Sequence, residues 1–488
     1  MLAKLEQHRS PATQSEAQRA RHLLVVLPKA AKLADLPRVP MVDVLEAGLT
    51  RRKKKFADLA KSPLTTDSAH GALVSWLVDD PERPAFERHT MMRKALQPLL
   101  AENPSQITIA LYGDARERAA AAPLAVYTAW VNGARLPVRK KKDESQPLEL
   151  IRLYGHQDPG GLGRERAQAD GNLLCRELTV LPPNDLMPGT YRARLRRHAK
   201  AERWAIEEYD LKRLRKMGAG AFVAVAQGSD EGDAAIVHLA YRPRGAKKKI
   251  ALVGKGICFD TGGHNLKPAK YMAGMHEDMN GSAVALGILH AATRARLPVS
   301  IDCWLALAQN HISPRAYKQN DVVTALNGTT IEIVHTDAEG RMVLSDTLTL
   351  AARARPDLIV DFATLTGSMH TALGDRYSGI FATSDQVARQ ALDAAAVSGE
   401  RLCVFPMDDD YDEALESPVA DVKQCTLDGG ADHILAARLL KRFTAGRPWI
   451  HMDLSASSAK GGLGAVGTDV TGFGVAWGFA LLEKLSAH

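Results

Sequence analysis

Short apolar runs separated by mixed polar segments occupy the first third of the chain. The runs at residues 23–27, 107–112, 125–131 and 148–154 predict strands. Between them, residues 81–100 have the composition and length of a helix. This succession predicts a smaller N-terminal α/β domain.

The later part of the chain alternates between strands and helices more regularly. Apolar runs predict strands at residues 250–254, 299–308, 330–334, 357–363 and 449–454, and helical patterns occur at residues 282–295, 341–354 and 433–443. This spacing is typical of a mostly parallel central sheet with helices on both faces. In such sheets, functional side chains gather at the carboxyl ends of the strands.

The apolar pattern breaks at the glycine-rich residues 160–163. We expect a helix at residues 164–178, ending before Pro182 and Pro183 because proline cannot continue a helix. The sequence therefore predicts an N-terminal domain at residues 1–160, a linking helix and connection at 161–185, and a larger C-terminal domain at 186–488.

Composition places the chain among soluble globular proteins, with 45% hydrophobic and 24% charged residues in 488. The start lacks the apolar core of a secretory signal, and the longest weakly apolar stretch, 470–482, is too short to span a membrane. The five cysteines are scattered without a Cys-x-x-Cys pair, which is typical of reduced thiols. We expect a cytoplasmic protein with no membrane association.

The net charge of +7 raises the question of nucleic-acid binding. Basic runs lie at residues 51–55, 139–142 and 247–249, and aromatic residues do not interrupt them. Solvated loops or helix ends account for such runs, and a phosphate-binding surface is the alternative. DNA binding by the first domain therefore stays open as a second hypothesis.

Acidic and basic side chains follow the predicted strands of the C-terminal domain. Lys255 and Asp260 lie in a glycine-rich segment after the 250–254 run, Lys267 follows them, and Asp278 immediately precedes a predicted helix. The next acidic pair, Asp337 and Glu339, is two residues apart, so in an extended segment both carboxylates point the same way.

Four carboxylates at one edge of a sheet repel one another unless cations neutralise them. Oxygen ligands suit Mg²⁺, Mn²⁺ or Zn²⁺, and four carboxylates are more than one catalytic metal needs. For each acid taken alone, a solvated surface group or a helix N-cap is the favoured interpretation. The joint pattern, together with Lys255, Lys267 and Arg341, favours a two-metal site.

The same segments resemble the leucyl aminopeptidase (cytosol aminopeptidase) family. The resemblance covers nearly all of residues 175–454 with matching spacing. Its most specific segments are 253–263, Leu266-Lys267-Pro268, Asp278-Met279 and Thr336-Asp337-Ala338-Glu339-Gly340-Arg341, with support from 181–184, 217–222, 363–367 and 372–374.

This resemblance implies a peptidase that releases residues from the free amino end of peptides by attack of a metal-activated water. One Zn²⁺ or Mn²⁺ ion would be held by Lys255, Asp260, Asp278 and Glu339, and the second by Asp260, Asp337 and Glu339. Lys255 must be neutral to bind a metal. The resemblance also implies that Lys267 faces the substrate carbonyl oxygen and that Arg341 holds a bicarbonate ion.

Family positions that line the substrate pocket correspond to Met275, Thr364, Leu365 and Gly367. They imply a preference for leucine-like side chains, although Met275 is also compatible with ordinary packing. The resemblance further implies a homohexamer, to which the first domain would contribute an oligomeric or regulatory role. The segments 423–430 and 468–474 depart from the usual family loops, so we expect them to affect substrate preference or packing.

Beside the acidic pair, His335 stands where the family usually has asparagine. Support of the metal ligands and ordinary packing both remain open for it.

Overall fold

The computed structural model describes residues 1–30, 32–36, 39–230 and 232–486. The chain divides into two compact units. The first unit contains Met1–Leu173, Ala396–Gly399 and Ala459–Thr471, and the second takes the rest of the described chain. Along the main chain, the division lies inside the segment 161–185 and within the helix Gly163–Thr179.

A mostly parallel sheet forms the centre of the first unit. Within its described residues the strands are β1 (Lys4–His8), β2 (His22–Pro28), β3 (Leu64–Asp67), β4 (Leu73–Asp79), β5 (Gln106–Leu111) and β6 (Leu150–Tyr154). Their order is β1-β6-β5-β2-β4-β3, and all neighbours are parallel except β3 and β4. This arrangement confirms an N-terminal α/β unit.

The helices of this part of the chain are α1 (Gln14–Arg19), α2 (Val42–Arg51), α3 (Ala85–Leu100), α4 (Ala115–Gly133) and α5 (Gly163–Thr179). The predicted strand at residues 125–131 is wrong, because these residues lie in α4. All seven are buried, so no polar face reveals the helical period. The decisive local feature is the capping box at its start, in which Asp114 and Glu117 each accept a backbone N–H from the other.

Parallel strands also form the centre of the second unit. Its described strands are β7 (Ala205–Asp210), β8 (Ala235–Tyr241), β9 (Lys249–Asp260), β10 (Ser300–Asn310), β11 (Val322–Thr324), β12 (Thr330–Glu332), β13 (Leu358–Ala363), β14 (Ser378–Ala382), β15 (Leu402–Val404), β16 (Val422–Lys423) and β17 (Trp449–Asp453). The main sheet has the order β15-β14-β17-β13-β9-β10-β8-β7, and its four central strands, β17 to β10, are parallel. A small separate sheet contains β11, β12 and β16.

Helices cover both faces of this sheet, as the sequence predicts. The described helices of this part of the chain are α6 (Pro188–Glu202), α7 (Leu211–Met217), α8 (Gly220–Ala226), α9 (Ala269–Met272), α10 (Asn280–Arg294), α11 (Glu339–Arg353), α12 (Gly367–Leu373), α13 (Asp385–Ser398), α14 (Asp432–Lys441) and α15 (Val475–Ser486). Consecutive residues of β9 face different helices: a side chain at Gly254 would meet α10, whereas Lys255 lies against Gly340 of α11. Because neighbouring strand residues point to opposite faces, α10 and α11 lie on opposite sides of the sheet.

Two glycines set the distance between α10 and the sheet. A Cβ atom at Gly254 would overlap Ser282, and one at Gly281 would overlap the backbone of Phe362 in β13. Only residues without side chains allow the backbones to approach this closely. The first turn of α10, which follows Asp278, therefore packs directly on the backbones of β9 and β13.

Strand β9 is longer than the apolar run at residues 250–254 predicts. It continues through the glycine-rich segment to Asp260, in parallel register with β10. Gly256 fits there because its missing Cβ leaves room for Ala306 and Leu307 of β10. The long strand places Lys255 and Asp260 on one rigid element. Among the described helices, none is long and apolar enough to cross a membrane.

Candidate active site

A cleft of about 650 Å³ lies at the carboxyl ends of β9 and β13. Every site residue that the sequence predicts lines this cleft: Lys255, Asp260, Lys267, Met275, Asp278, Asp337, Glu339, Arg341, Thr364, Leu365 and Gly367. The structure thus brings together residues that are up to about a hundred positions apart in the chain. Their position agrees with the rule that parallel sheets carry their sites at the strand ends.

Three carboxylates meet at the centre of the cleft. Asp260 is the last residue of β9, Asp337 lies in a turn, and Glu339 is the first residue of α11. One oxygen from each lies within 4.8 Å of the others. The expectation of an extended segment at Asp337 and Glu339 is wrong, since the chain turns there into the helix, yet the turn still directs both carboxylates to the same place.

Lys255 joins this cluster to Asp278. Its Nζ atom lies 2.9 Å from Oδ1 of Asp278, 2.8 Å from Oε1 of Glu339 and 3.0 Å from the carbonyl oxygen of Thr364. Burial alone would lower the pKa of this ammonium group, but the carboxylates of Asp278 and Glu339 outweigh burial and raise it. In the metal-free protein, Lys255 is therefore a charged ammonium group.

A second lysine neutralises the other side of the cluster. Nζ of Lys267 lies 2.9 Å from Oδ2 of Asp260 and also contacts Oδ1 of Asp337. Burial opposes the charge on Lys267, and the neighbouring carboxylates raise its pKa above the ordinary value. Both lysines therefore act as counterions of the acidic cluster.

The acids themselves hold protons more tightly than isolated carboxyl groups. Burial raises the pKa of Asp278 to about 8, with Glu339 adding to the rise and Lys255 opposing it. Burial, followed by repulsion from Asp260 and Glu339, raises the pKa of Asp337 to about 7. The pKa of Glu339 is also raised, first by burial and then by Asp260. The two lysines therefore do not supply enough positive charge to keep all these carboxyl groups ionised near neutral pH.

Two neutral side chains that the sequence argument did not recognise as supports orient these carboxylates. The hydroxyl of Thr364, which follows β13, donates to Oδ1 of Asp278 at 2.7 Å. The Nδ2 group of Asn310, at the end of β10, donates to Oδ1 of Asp260 at 2.8 Å. Asn310 pairs in register with Asp260, so its position at the end of a strand was the available indication.

The loop that carries the predicted substrate residues is fixed by Asp453. This buried residue ends β17, and its carboxylate accepts from the backbone N–H of Leu365 at 3.0 Å and from the hydroxyl of Thr366 at 2.7 Å. Thr366 in turn caps α12, which begins at Gly367. The polypeptide between β13 and α12 is therefore held rigidly along one wall of the cleft.

Arg341 lies in α11 with only 2% of its surface exposed. Its Nη2 group donates to Oδ1 of Asp432 at 2.8 Å, and its Nη1 group donates to the carbonyl oxygen of Gln424 at 3.2 Å. Neither partner was predicted, because both are more than 80 residues away in the chain. The half-buried His335 also lines the cleft, and its Nδ1 accepts from the backbone N–H of Asp337 at 3.3 Å.

These side chains fit divalent cations. Oδ2 of Asp278 and Oε2 of Glu339 are buried and have no hydrogen-bond partner among the described residues. A buried carboxylate oxygen without a partner is costly, and a cation bound there removes that cost. Carboxylate oxygens are also the donors that Mn²⁺ and similar ions accept readily.

Comparison with known proteins gives the family. Residues 173–477 match the model described as "Cytosol aminopeptidase family, catalytic domain". The chain belongs to the cytosol aminopeptidase family. The match contains all the residues that line the cleft, and it confirms the resemblance on which the sequence analysis relied.

Curated relatives in this family carry the same description. A "Probable cytosol aminopeptidase" of Stutzerimonas stutzeri is 41% identical over 66% of this chain and 66% of its own length. One from Rhodopseudomonas palustris is 34% identical over 72% of this chain and 71% of its own length. The chain thus spans about two thirds of the length of the curated relatives it matches.

A solved structure matches almost the whole fold. The "Bottromycin maturation enzyme BotP in complex with Mn" superposes with a TM-score of 0.80 at 29% sequence identity, covering 96% of this chain and 100% of that chain. Membership of the cytosol aminopeptidase family indicates a metal-dependent hydrolase that cleaves peptides at the amino end. Nucleic-acid binding gains no support from these comparisons.

Proposed function

We propose that the protein is a dinuclear-metal aminopeptidase that releases leucine-like residues from the free amino end of peptides. The observation that carries this proposal is the convergence of Asp260, Asp337 and Glu339 within 4.8 Å, inside a cleft of a cytosol aminopeptidase catalytic domain. Like charges gather this closely in a buried site only where cations stabilise them.

The proposed ligands divide into two overlapping sets. Lys255, Asp260, Asp278 and Glu339 would hold one cation, and Asp260, Asp337 and Glu339 would hold the other. Lys255 has to lose its proton to serve as a ligand, since only the neutral amine has a free electron pair. When bound, the cations would polarise the substrate carbonyl group and lower the pKa of a water molecule.

The chain's own residues supply the rest of the chemistry. Lys267, a cation that lines the cleft, would stabilise the negative charge that develops on the carbonyl oxygen. Asn310 and Thr364 keep the carboxylates of Asp260 and Asp278 in one orientation, so the site needs little rearrangement during the reaction. The Asp453-anchored loop from Thr364 to Gly367 would line the pocket for the first side chain of the peptide.

Metal identity and assembly are parts of the same proposal. We propose Mn²⁺ or Zn²⁺, and the manganese in the BotP structure supports the first choice. We also propose a homohexamer in the cytoplasm, to be tested by light scattering with size-exclusion chromatography. The family resemblance implies bicarbonate at Arg341, but Asp432 already accepts a hydrogen bond from that guanidinium group.

Hydrolysis of leucine-p-nitroanilide by the purified protein tests the proposed function. We expect cleavage with added Mn²⁺ or Zn²⁺, loss of activity after chelation, and recovery when the metal is returned. The N-acetylated substrate is the control, because it lacks the free amino group. Cleavage of both substrates, or activity that survives complete metal removal, would contradict the proposal.

A further inference from the structure

The guanidinium group of Arg341 already has an anionic partner in this chain. Oδ1 of Asp432 lies 2.8 Å from Nη2, so the two side chains form a charge-assisted hydrogen bond. The side chain of Asp432 is 22% exposed and lines the same cleft as Arg341. A carboxylate therefore stands where the family resemblance implies a bicarbonate ion.

A second anion does not fit easily beside this pair. Bicarbonate and carboxylate present similar oxygen pairs to a guanidinium, so they compete for the same N–H groups. Nη2 donates one of its N–H groups to Asp432 and Nη1 donates one to the carbonyl oxygen of Gln424, while Nε has no partner among the described residues. A bicarbonate ion would have to displace Asp432 or bind the remaining N–H groups next to the negative charge of Asp432.

The backbone around Asp432 is anchored on both sides. Asp432 is the first residue of α14, where the helix dipole favours a negative charge. The next residue, His433, donates its backbone N–H to the Ser368 hydroxyl at 3.0 Å. Earlier in the segment, the side-chain amide of Gln424 donates to the carbonyl oxygen of Ala338 at 2.9 Å, beside the carboxylate cluster.

We propose that Asp432 is the built-in anion of Arg341 and that this enzyme works without bicarbonate. The inference rests on the proposed function and assigns Asp432 as a positioning residue. The negative charge of Asp432 neutralises the guanidinium group of Arg341 and holds it in place. Because Arg341 lies two residues after Glu339 in α11, this group is at the edge of the proposed metal site. The departure of the 423–430 segment from the usual family loop is consistent with a changed anion site next to it.

The test compares metal-loaded wild type, Asp432→Ala, Asp432→Asn and the matched control Asp428→Ala in carbon-dioxide-depleted buffer and in bicarbonate. Asp428 lies in the same segment, carries the same charge and contacts Thr426 and Gly430 rather than Arg341. We expect wild type and Asp428→Ala to change by less than about twofold on adding bicarbonate, whereas Asp432→Ala loses about 10- to 100-fold in kcat. Saturable rescue of Asp432→Ala by bicarbonate or formate is the key result, since a purely structural defect is not repaired by a small anion.

Binding of ¹³C-labelled bicarbonate, followed by NMR, provides a readout independent of activity. We expect binding by Asp432→Ala and none by wild type. Activation of wild type by bicarbonate, bicarbonate binding to wild type, or full unrescued activity of both Asp432 variants would each overturn the inference. If Asp432→Ala does not fold, Asp432→Asn keeps the shape and removes the charge. If wild type cleaves no substrate under any metal, the proposed function fails, and the binding experiment still decides the role of Asp432.

Discussion

A cleft in the first unit is larger than the candidate active site but differs from it in the surroundings of its charged side chains. In the first unit, a cleft of about 980 Å³ lies after β2 and β5, again at the carboxyl ends of parallel strands. Its charged groups are balanced locally: Lys29 lies 2.9 Å from Glu82 and 3.2 Å from Asp80, and Asp114 caps α4. The charged side chains of this cleft therefore have partners close to them in the fold.

The smaller cleft of the second unit has the opposite character. Its carboxylates come from β9, from the turn before α10 and from the start of α11, and burial raises the pKa of Asp278 and Asp337. The charged side chains at the ends of the first sheet thus have local partners, whereas the carboxylates at the ends of the second sheet repel one another. Unbalanced buried charge, rather than volume, distinguishes the candidate site.

Removal of one carboxylate from each cleft should give the largest difference in activity between the two units. We expect Asp337→Ala to lower kcat/KM for leucine-p-nitroanilide about 1000-fold, because the second proposed cation loses a ligand. Asp114→Ala removes the same charge from the first unit and costs only a helix cap, about 1 kcal/mol of stability. Near-normal turnover by Asp337→Ala with unchanged metal content would refute the ligand assignment.

Removal of one lysine from each cleft gives the next largest effect. We expect Lys267→Met to lower kcat about 100-fold or more, since a preorganised cation near the reacting carbonyl group is lost. Lys29→Met breaks exposed ion pairs, which contribute little, and we expect unchanged kinetics. Steady-state kinetics on both variants decide the matter, and equal effects would show that Lys267 has no special role.

The pH dependence separates the metal-free from the metal-loaded second unit. In the metal-free protein, Asp278 and Asp337 hold protons up to pH values of about 8 and 7, whereas unfolded carboxyl groups lose them near 4. The folded state binds more protons in this range, so its stability should fall as pH rises from about 4 to 8. Metal binding requires these protons to leave, so Mn²⁺ affinity and the Tm increase on adding Mn²⁺ should both rise over the upper part of this range.

Thermal melts at pH 6, 7 and 8 test whether the stability of the metal-free protein falls with pH. Calorimetric Mn²⁺ titrations at the same pH values test whether the Mn²⁺ affinity rises. Mn²⁺ affinity that stayed constant across this range would mean that the carboxyl groups are already ionised.

The smallest effect concerns the first side chain of the substrate. We expect Met275→Ala to weaken binding of leucine and methionine substrates about tenfold and of alanine substrates less, because apolar contact in the cleft is lost. Comparison of kcat/KM for the three p-nitroanilides measures the change. A uniform loss across all three would assign Met275 to packing instead.

The site residues that could be predicted from the sequence are reactive side chains that lie close to one another along the chain. Asp337 and Glu339 are two residues apart, and Lys255 and Asp260 lie on one strand, so pattern and family resemblance identified them together. Sequence reasoning missed Asp432, Asn310 and Asp453, whose importance comes from contacts made only in the folded protein. A carboxylate 91 residues after Arg341 is recognised as its partner only when the chain places the two together.

The fold shows the same division. Alternating strands and helices predict the parallel sheet of the second unit, because each buried strand there is bounded by turns or glycines. The segment 125–131 failed because a helix buried on all sides has the same continuous apolar pattern as a buried strand. Its length and its capping box at Asp114 would have resolved the ambiguity.

The pair Gly254 and Gly281 has a consequence for efforts to redesign this enzyme. Because nothing separates the two backbones, a single added methyl group at either position would lift the first turn of α10 and carry Asp278 away from Lys255. The residues that fix the spacing of the reactive groups are thus ones that take no part in any reaction. Libraries built to alter substrate range should therefore leave these two positions unchanged.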